Sequence, residues 1–231
     1  MKKNKNLENY LFKEMEREFN RNQRKKVSSK KDKGWFVKND RPEEYLGDPF
    51  LYYSDEEVEK YARSGGMRRA QEKIAYRVLE LLELEPGKSL LDIGSGPGYT
   101  AEVYRSAGYN VVCMDLIPKM IEKAKEKGFE AYVGDMRDIK ELFNGRKFDG
   151  VVSVSALQWI KDKNDIKKVA QGIYSVLNEG GPLIIQFYPK SEKELKEIAR
   201  IFTNNGFYGE IIIDWPDIPK KRTIYLVMKR Y

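Results

Sequence analysis

Beyond residue 85, short apolar runs alternate with segments whose apolar positions recur three and four residues apart. The runs predict strands near 88–93, 110–114, 130–133, 148–154, 181–187, 209–214 and 222–229. The intervening periodic segments predict helices near 99–107, 118–128, 165–177 and 191–205. Alternation of this kind predicts an α/β fold with a mainly parallel sheet covered on both faces. Upstream, residues 54–84 read as helix in two pieces. Ser54 followed by Asp55, Glu56 and Glu57 is a helix start, because a hydroxyl and early acids satisfy free amides and the macrodipole. Gly65-Gly66 is the expected interruption, and Ile74, Val78, Leu79 and Leu82 give the second piece one apolar face before Pro86-Gly87 ends it. Residues 34–53, aromatic and broken by Pro42 and Pro49, read as an ordered irregular lead-in. Leu7, Leu11, Met15 and Phe19 recur every four residues and predict a basic amphipathic helix over 7–22, followed by a charged linker over 25–33.

The first strand carries the candidate chemistry. Leu90-Leu91-Asp92-Ile93 runs into Gly94-Ser95-Gly96-Pro97-Gly98, a turn whose missing Cβ atoms permit positive φ and let a ligand lie against the backbone at the end of a parallel strand. The dinucleotide spacing G-x-G-x-x-G fails, because Tyr99 stands where its third glycine would be. Asp92 beside the turn would repel a pyrophosphate, whereas the sulfonium and ammonium of S-adenosylmethionine suit a carboxylate. Asp115, at the end of Val111-Val112-Cys113-Met114, stands where an acid accepts from ribose hydroxyls. The competing reading is a glycine-rich turn that holds no ligand.

Charge changes the picture at one end only. Residues 1–33 hold twelve Lys/Arg and five acids, which equals the whole chain's formal +7 and leaves the other residues neutral. A basic arm on a neutral domain predicts a polyanionic partner, with a solvated tail as the bland alternative. Cys113 is the single cysteine and lies in a predicted core strand, so no disulfide or cysteine-based metal site forms within the chain. Histidine is absent, which removes the commonest base near neutral pH. No signal peptide and no run of membrane-spanning length is apparent, so the expected place is the reducing cytoplasm, away from membrane.

Seven strands with Asp-x-Gly-x-Gly-x-Gly after the first and an acid after the second resemble the class I S-adenosylmethionine-dependent methyltransferases over residues 54–231. That resemblance implies a Rossmann-like sheet of order 3-2-1-4-5-7-6 with the last strand antiparallel, and an adenine contact at Asp135-Met136. Three blocks are more specific: Ser155-Ala156-Leu157-Gln158-Trp159 after Phe148-Asp149-Gly150, then Gln186-Phe187-Tyr188-Pro189, then Asp214-Trp215-Pro216. With Arg41-Pro42-Glu43 and Tyr61-x-Arg63, they are similar to the small-subunit ribosomal RNA guanine-N7 methyltransferases. The sequence departs from that family at Ser95, where a cysteine is common, at Gly65-Gly66, where Ser-Arg is expected, and in carrying its basic residues at the amino end.

The resemblance implies methylation of a guanine N7 in small-subunit ribosomal RNA during ribosome biogenesis. It implies a cofactor site of Arg63, Asp92, Gly94, Ser95, Gly96, Gly98, Asp115, Leu116, Asp135, Met136 and Ser155, and an acceptor site of Gln158, Trp159, Tyr188 and Pro189. Guanine N7 has a lone pair and no proton, which suits a chain without histidine. The implied organisation is a basic arm over 1–40 and a methyltransferase domain over 41–231, of which 41–84 are lead-in helices and 85–231 the core. The implied partners are the small ribosomal subunit precursor and a small zinc-binding activator protein, for which the edge strand Glu130-Ala131-Tyr132-Val133 offers a pairing surface. Two other functions stay open on sequence: a methyltransferase for a quinone, lipid or carboxylate, and an RNA-binding assembly factor for which catalysis is secondary.

Overall fold

The computed structural model describes residues 41–231. The amphipathic helix expected over 7–22, the linker after it and the arm as a whole lie outside the described residues. One sheet of seven strands is formed by β1 (Ser89–Ile93), β2 (Asn110–Asp115), β3 (Glu130–Val133), β4 (Gly150–Val154), β5 (Pro182–Phe187), β6 (Phe207–Asp214) and β7 (Thr223–Arg230). Their order is β3-β2-β1-β4-β5-β7-β6, as the resemblance implies. The pairings β3 to β2, β2 to β1, β1 to β4 and β4 to β5 are parallel, and β7 is antiparallel to both β5 and β6. Phe148 contributes only an isolated bridge to Leu177, so β4 begins at Gly150 and not at 148.

Four helices precede the sheet: α1 (Pro42–Tyr45), α2 (Pro49–Tyr52), α3 (Asp55–Arg63) and α4 (Gly65–Leu81). The connections hold α5 (Tyr99–Ser106), α6 (Pro118–Glu126), α7 (Ile139–Leu142), α8 (Lys163–Val176) and α9 (Glu192–Thr203), with 3-10 turns at Met136–Asp138 and Leu157–Trp159. The lead-in is less irregular than expected, since Pro42 and Pro49 each start a single helical turn, where a missing N–H costs nothing.

The break between α3 and α4 falls at Ser64 and not at Gly65-Gly66. Ser64 is extended (φ −75°, ψ 101°); its N–H closes α3 on the Tyr61 carbonyl, and its hydroxyl accepts from the Met67 N–H at 3.2 Å. The glycines open α4, where amides have no partner one turn back, so poor helix preference costs little.

Successive residues of β1 enter opposite layers. Leu90 packs with Ala75, Val78 and Leu82 of the α4 region and with Tyr104 of α5. Leu91 and Ile93 pack with Ile139, Ile173 and Phe202 on the other face. Both faces being covered, β1 is apolar almost throughout and its Asp92 is fully buried. A third cluster sets Val58 of α3 against Ile117 and Met120 at the start of α6, with Tyr53 and Tyr61 beside it. The lead-in is thereby fixed over the carboxyl ends of β1 and β2. Among the described residues no helix is long and apolar enough to cross a membrane.

Candidate functional site

The carboxyl ends of β1 to β5 open into a cleft of about 1180 Å³. Its floor on one side is the glycine turn. The Gly94 and Ser95 amides both donate to the Met114 carbonyl (2.8 and 3.0 Å), and the Gly96 amide donates to Asp115 Oδ2 at 2.8 Å. The other Asp115 oxygen accepts from the Ile117 amide at 2.9 Å, so one carboxylate ties the first two strand ends together. Burial pushes the Asp115 carboxyl up, and the amides of Ile117, Gly96 and Leu116 oppose that shift. Gly94 has φ 71°, and a Cβ there would lie 2.3 Å from that of Ala156. Gly96 has φ 54°, and a Cβ there would meet nothing nearer than the Met120 sulfur at 4.0 Å. A backbone cradle with open space above Gly96 and an acid beside it fits S-adenosylmethionine.

Asp92 bears on this half from below. It does not line the cleft; its Oδ2 accepts from the Thr100 hydroxyl at 2.6 Å, and its Oδ1 is buried without a partner. Burial pushes its carboxyl up to about 7, against the Thr100 hydrogen bond and with a further push from Asp115. The expectation of an acid in contact with the ligand is corrected accordingly: Asp92 braces the turn, because a central strand residue of that parity faces the α4–α5 layer. At the end of β3, Asp135 and Met136 line the cleft. Asp135 also caps its 3-10 turn through the Arg137 amide (2.8 Å) and pairs with the Arg137 guanidinium at 2.5 Å. Burial would raise the Asp135 carboxyl, but the hydrogen bonds and charge of Arg137 hold it below the usual range.

The opposite half is built at the ends of β4 and β5. Ser155 leaves β4 with φ 56°, an unusual conformation for a residue with a side chain. Buried Gln186 on β5 holds it: Gln186 Oε1 accepts from the Ser155 hydroxyl at 2.9 Å and from its amide at 3.1 Å. Gln158 then donates Nε2 to the Ser155 carbonyl at 2.8 Å and keeps Oε1 buried without a partner. Trp159 borders the cleft and packs against the adjacent rings of Tyr53 (centroids 5.9 Å apart) and Tyr52 (6.3 Å). Tyr188 also lines it, with the Arg41 guanidinium 4.0 Å above its ring.

Of the residues singled out from sequence, Gly94, Ser95, Gly96, Asp115, Leu116, Asp135, Met136, Ser155, Gln158, Trp159 and Tyr188 converge on this one cleft. Four do not. Arg63 is turned to solvent at the end of α3, its side chain 82% exposed and paired with Glu59, so the cofactor-side placement is corrected. Gly98 caps α5 at φ 82°, with Phe129 3.3 Å from where a Cβ would sit, so helix entry and packing demand the glycine. Pro189 is buried and, like Asp92, does not line the cleft.

The sequence reading missed the lead-in wall. Tyr53 and Tyr61 line the cleft, burial pushes both phenols up, and the Tyr99 hydroxyl donates to the Ala62 carbonyl at 2.7 Å. Tyr61 and Tyr99 stack at 6.0 Å, which joins the end of α3 to the start of α5. Aromatic density in 34–61 was the available signal, without any indication of which strand ends it would cover.

Residues 91–185 match the model of the methyltransferase domain. The chain is 31% identical over 201 residues to the 18S rRNA (guanine-N(7))-methyltransferase bud23 of Schizosaccharomyces pombe, covering 82% of this chain and 74% of that protein. It is 33% identical over 200 residues to the 18S rRNA (guanine-N(7))-methyltransferase of Mus musculus, covering 81% of this chain and 71% of that protein. A solved complex between the Haloferax volcanii Trm112 methyltransferase activator and a putative methyltransferase contains a similar fold. The TM-score is 0.56 at 19% identity, over 75% of this chain and 97% of that one. A cleft built on the glycine turn, in a sheet of this order, and likeness over four-fifths of the chain agree, and the chain belongs to the 18S rRNA guanine-N7 methyltransferases of the class I S-adenosylmethionine-dependent fold.

Proposed function

We propose that this chain methylates N7 of a guanine in small-subunit ribosomal RNA during ribosome biogenesis. The observation that carries the reading is the acceptor half of the cleft, where Gln158, held on the Ser155 carbonyl, lines the wall together with the aromatic residues Trp159 and Tyr188. S-adenosylmethionine, when bound, supplies a methyl group on a cationic sulfonium. Gly94, Ser95 and Gly96 would hold its methionine end, Asp115 and Leu116 the ribose, and Asp135 and Met136 the adenine. Trp159 or Tyr188 would stack on an extruded base, a contact worth about 1–3 kcal/mol. Gln158 Oε1, a buried acceptor without a partner, would take an N–H of the purine. Because N7 needs no deprotonation, the side chains have to orient and not to accept a proton, and orientation alone can supply roughly 7–11 kcal/mol in favourable cases. That the relatives matched over about four-fifths of the chain are named for ribosomal RNA favours this acceptor over a small molecule.

Incubation with labelled cofactor and small ribosomal subunits, followed by mapping of the modified base, tests the reading. Label at one guanine N7 is the expected result, and label confined to small molecules would overturn it. The reading also gives the protein an activator partner, a small zinc-binding protein pairing at β3. That strand is an edge of the sheet, and its Val133 is 46% exposed. A 1:1 complex by sizing is expected, and failure to co-elute would remove the partner. The place of action on this reading is the cytoplasm, with the maturing subunit.

A further inference from the structure

Two adjacent acids on α1 have opposite surroundings. Glu44 is paired with Lys161 Nζ at 3.2 Å and with Lys190 Nζ at 2.7 Å. Glu43 is 5% exposed and lines the cleft, yet its carboxylate has no hydrogen bond or ion pair to any described residue. Lys190 lies near enough to feel the Glu43 charge but gives its ammonium to Glu44. A carboxylate that lines the cleft from an otherwise enclosed side chain, with no described side chain paired to it, is placed to accept from a ligand there. The place is the acceptor half: Arg41, two residues before Glu43, covers the Tyr188 ring, and Tyr53 feels the Glu43 charge.

Guanine is the base with two adjacent donors on its Watson–Crick edge, N1–H and the 2-amino group, which two carboxylate oxygens accept side by side. Adenine, cytosine and uracil lack that pair. Building on the function proposed above, we infer that Glu43 is the residue that selects guanine. Its carboxylate accepts from N1–H and the 2-amino group, while N7, on a different edge of the purine, is left free for the cofactor half.

The test uses the full chain, E43A and E43Q, with labelled S-adenosylmethionine. The acceptors are two synthetic RNAs carrying guanosine or inosine at the mapped nucleotide. Inosine keeps N7 and N1–H and lacks only the 2-amino group. The wild type is expected to methylate the inosine RNA about tenfold to a hundredfold more slowly in kcat/KM. E43A should be slow on both RNAs without a preference, E43Q should lose most of the preference, and cofactor affinity should be unchanged in both. Equal rates on the two RNAs in the wild type, or a full preference retained in E43A, would overturn the inference. Should E43A fail to fold, a full preference retained in the isosteric E43Q would do the same. If the wild type labels no RNA of either kind, the proposed function falls and the role of Glu43 with it.

Discussion

At Asp92 a carboxylate is stored beneath the glycine turn, with one oxygen on Thr100 and the other without a partner. Its pKa in the folded chain is raised from 3.8 to about 7, so between those values the native state binds the proton that the unfolded chain has released. Stability from this group is therefore full below the unfolded value, falls as pH rises through the window and levels off above about 7. D92N keeps an acceptor for Thr100 and removes the titration. Its unfolding free energy relative to wild type should improve by a few kcal/mol between pH 5 and 8, which urea unfolding at each pH measures. A cationic ligand on the turn would pull the same carboxyl down, so calorimetry should show wild-type cofactor affinity tightening through pH 7 and D92N affinity flat. A flat wild-type profile would remove the Asp92 charge from cofactor binding. The two glycines above it separate folding from binding. G94A places a Cβ 2.3 Å from that of Ala156 and should lose stability and cofactor together. G96A has open space, so it should cost only about 1–2 kcal/mol for its φ of 54°, while filling the room the ligand needs.

The elbow after β4 shows how strand register makes a site. Parallel pairing sets Val154 beside Gln186, which brings the Gln186 amide under Ser155 and fixes the base from which Gln158 reaches. Q186L keeps the volume and leaves the Ser155 hydroxyl unpaired. A fall in kcat equivalent to about 1–3 kcal/mol, with cofactor Kd unchanged, is the expected outcome. The strands, the helices and the glycine turn are legible in the sequence because each is a local pattern of spacing or of missing Cβ atoms. The role of Gln186 is not: the residue stands in one of the family-like blocks, but inside a run of Leu, Ile and Phe nothing indicates that it holds Ser155 until its neighbour across the sheet is known. Arg63 fails for a related reason: matching a motif fixes its position in α3 but not its side, and the helix turns it towards Glu59 and solvent. The lead-in wall needs Tyr53, Tyr61 and Tyr99 from three segments, a convergence that no single window of sequence contains. Capping is local again. S64A should cost about 1 kcal/mol by freeing the Met67 amide that starts α4.

Across the whole molecule, charge and chemistry are divided between the two ends of one chain. The described part carries the cleft, and residues 1–33 carry a basic excess equal to the chain's net +7. Removing them should leave cofactor affinity unchanged, weaken RNA binding and flatten its dependence on salt, because fewer counterions are released. Unchanged salt dependence would assign RNA docking to the body. The contact of Arg41 with the Tyr188 ring has a consequence of its own, since whatever precedes Arg41 is anchored at the acceptor wall. An RNA strand bound by residues 1–33 would be tied through Arg41 to the neighbourhood of the cleft. Its effective concentration there is set by the tether and not by the bulk solution. Residues 1–33 supplied as a separate peptide should therefore leave the truncated enzyme as slow as before.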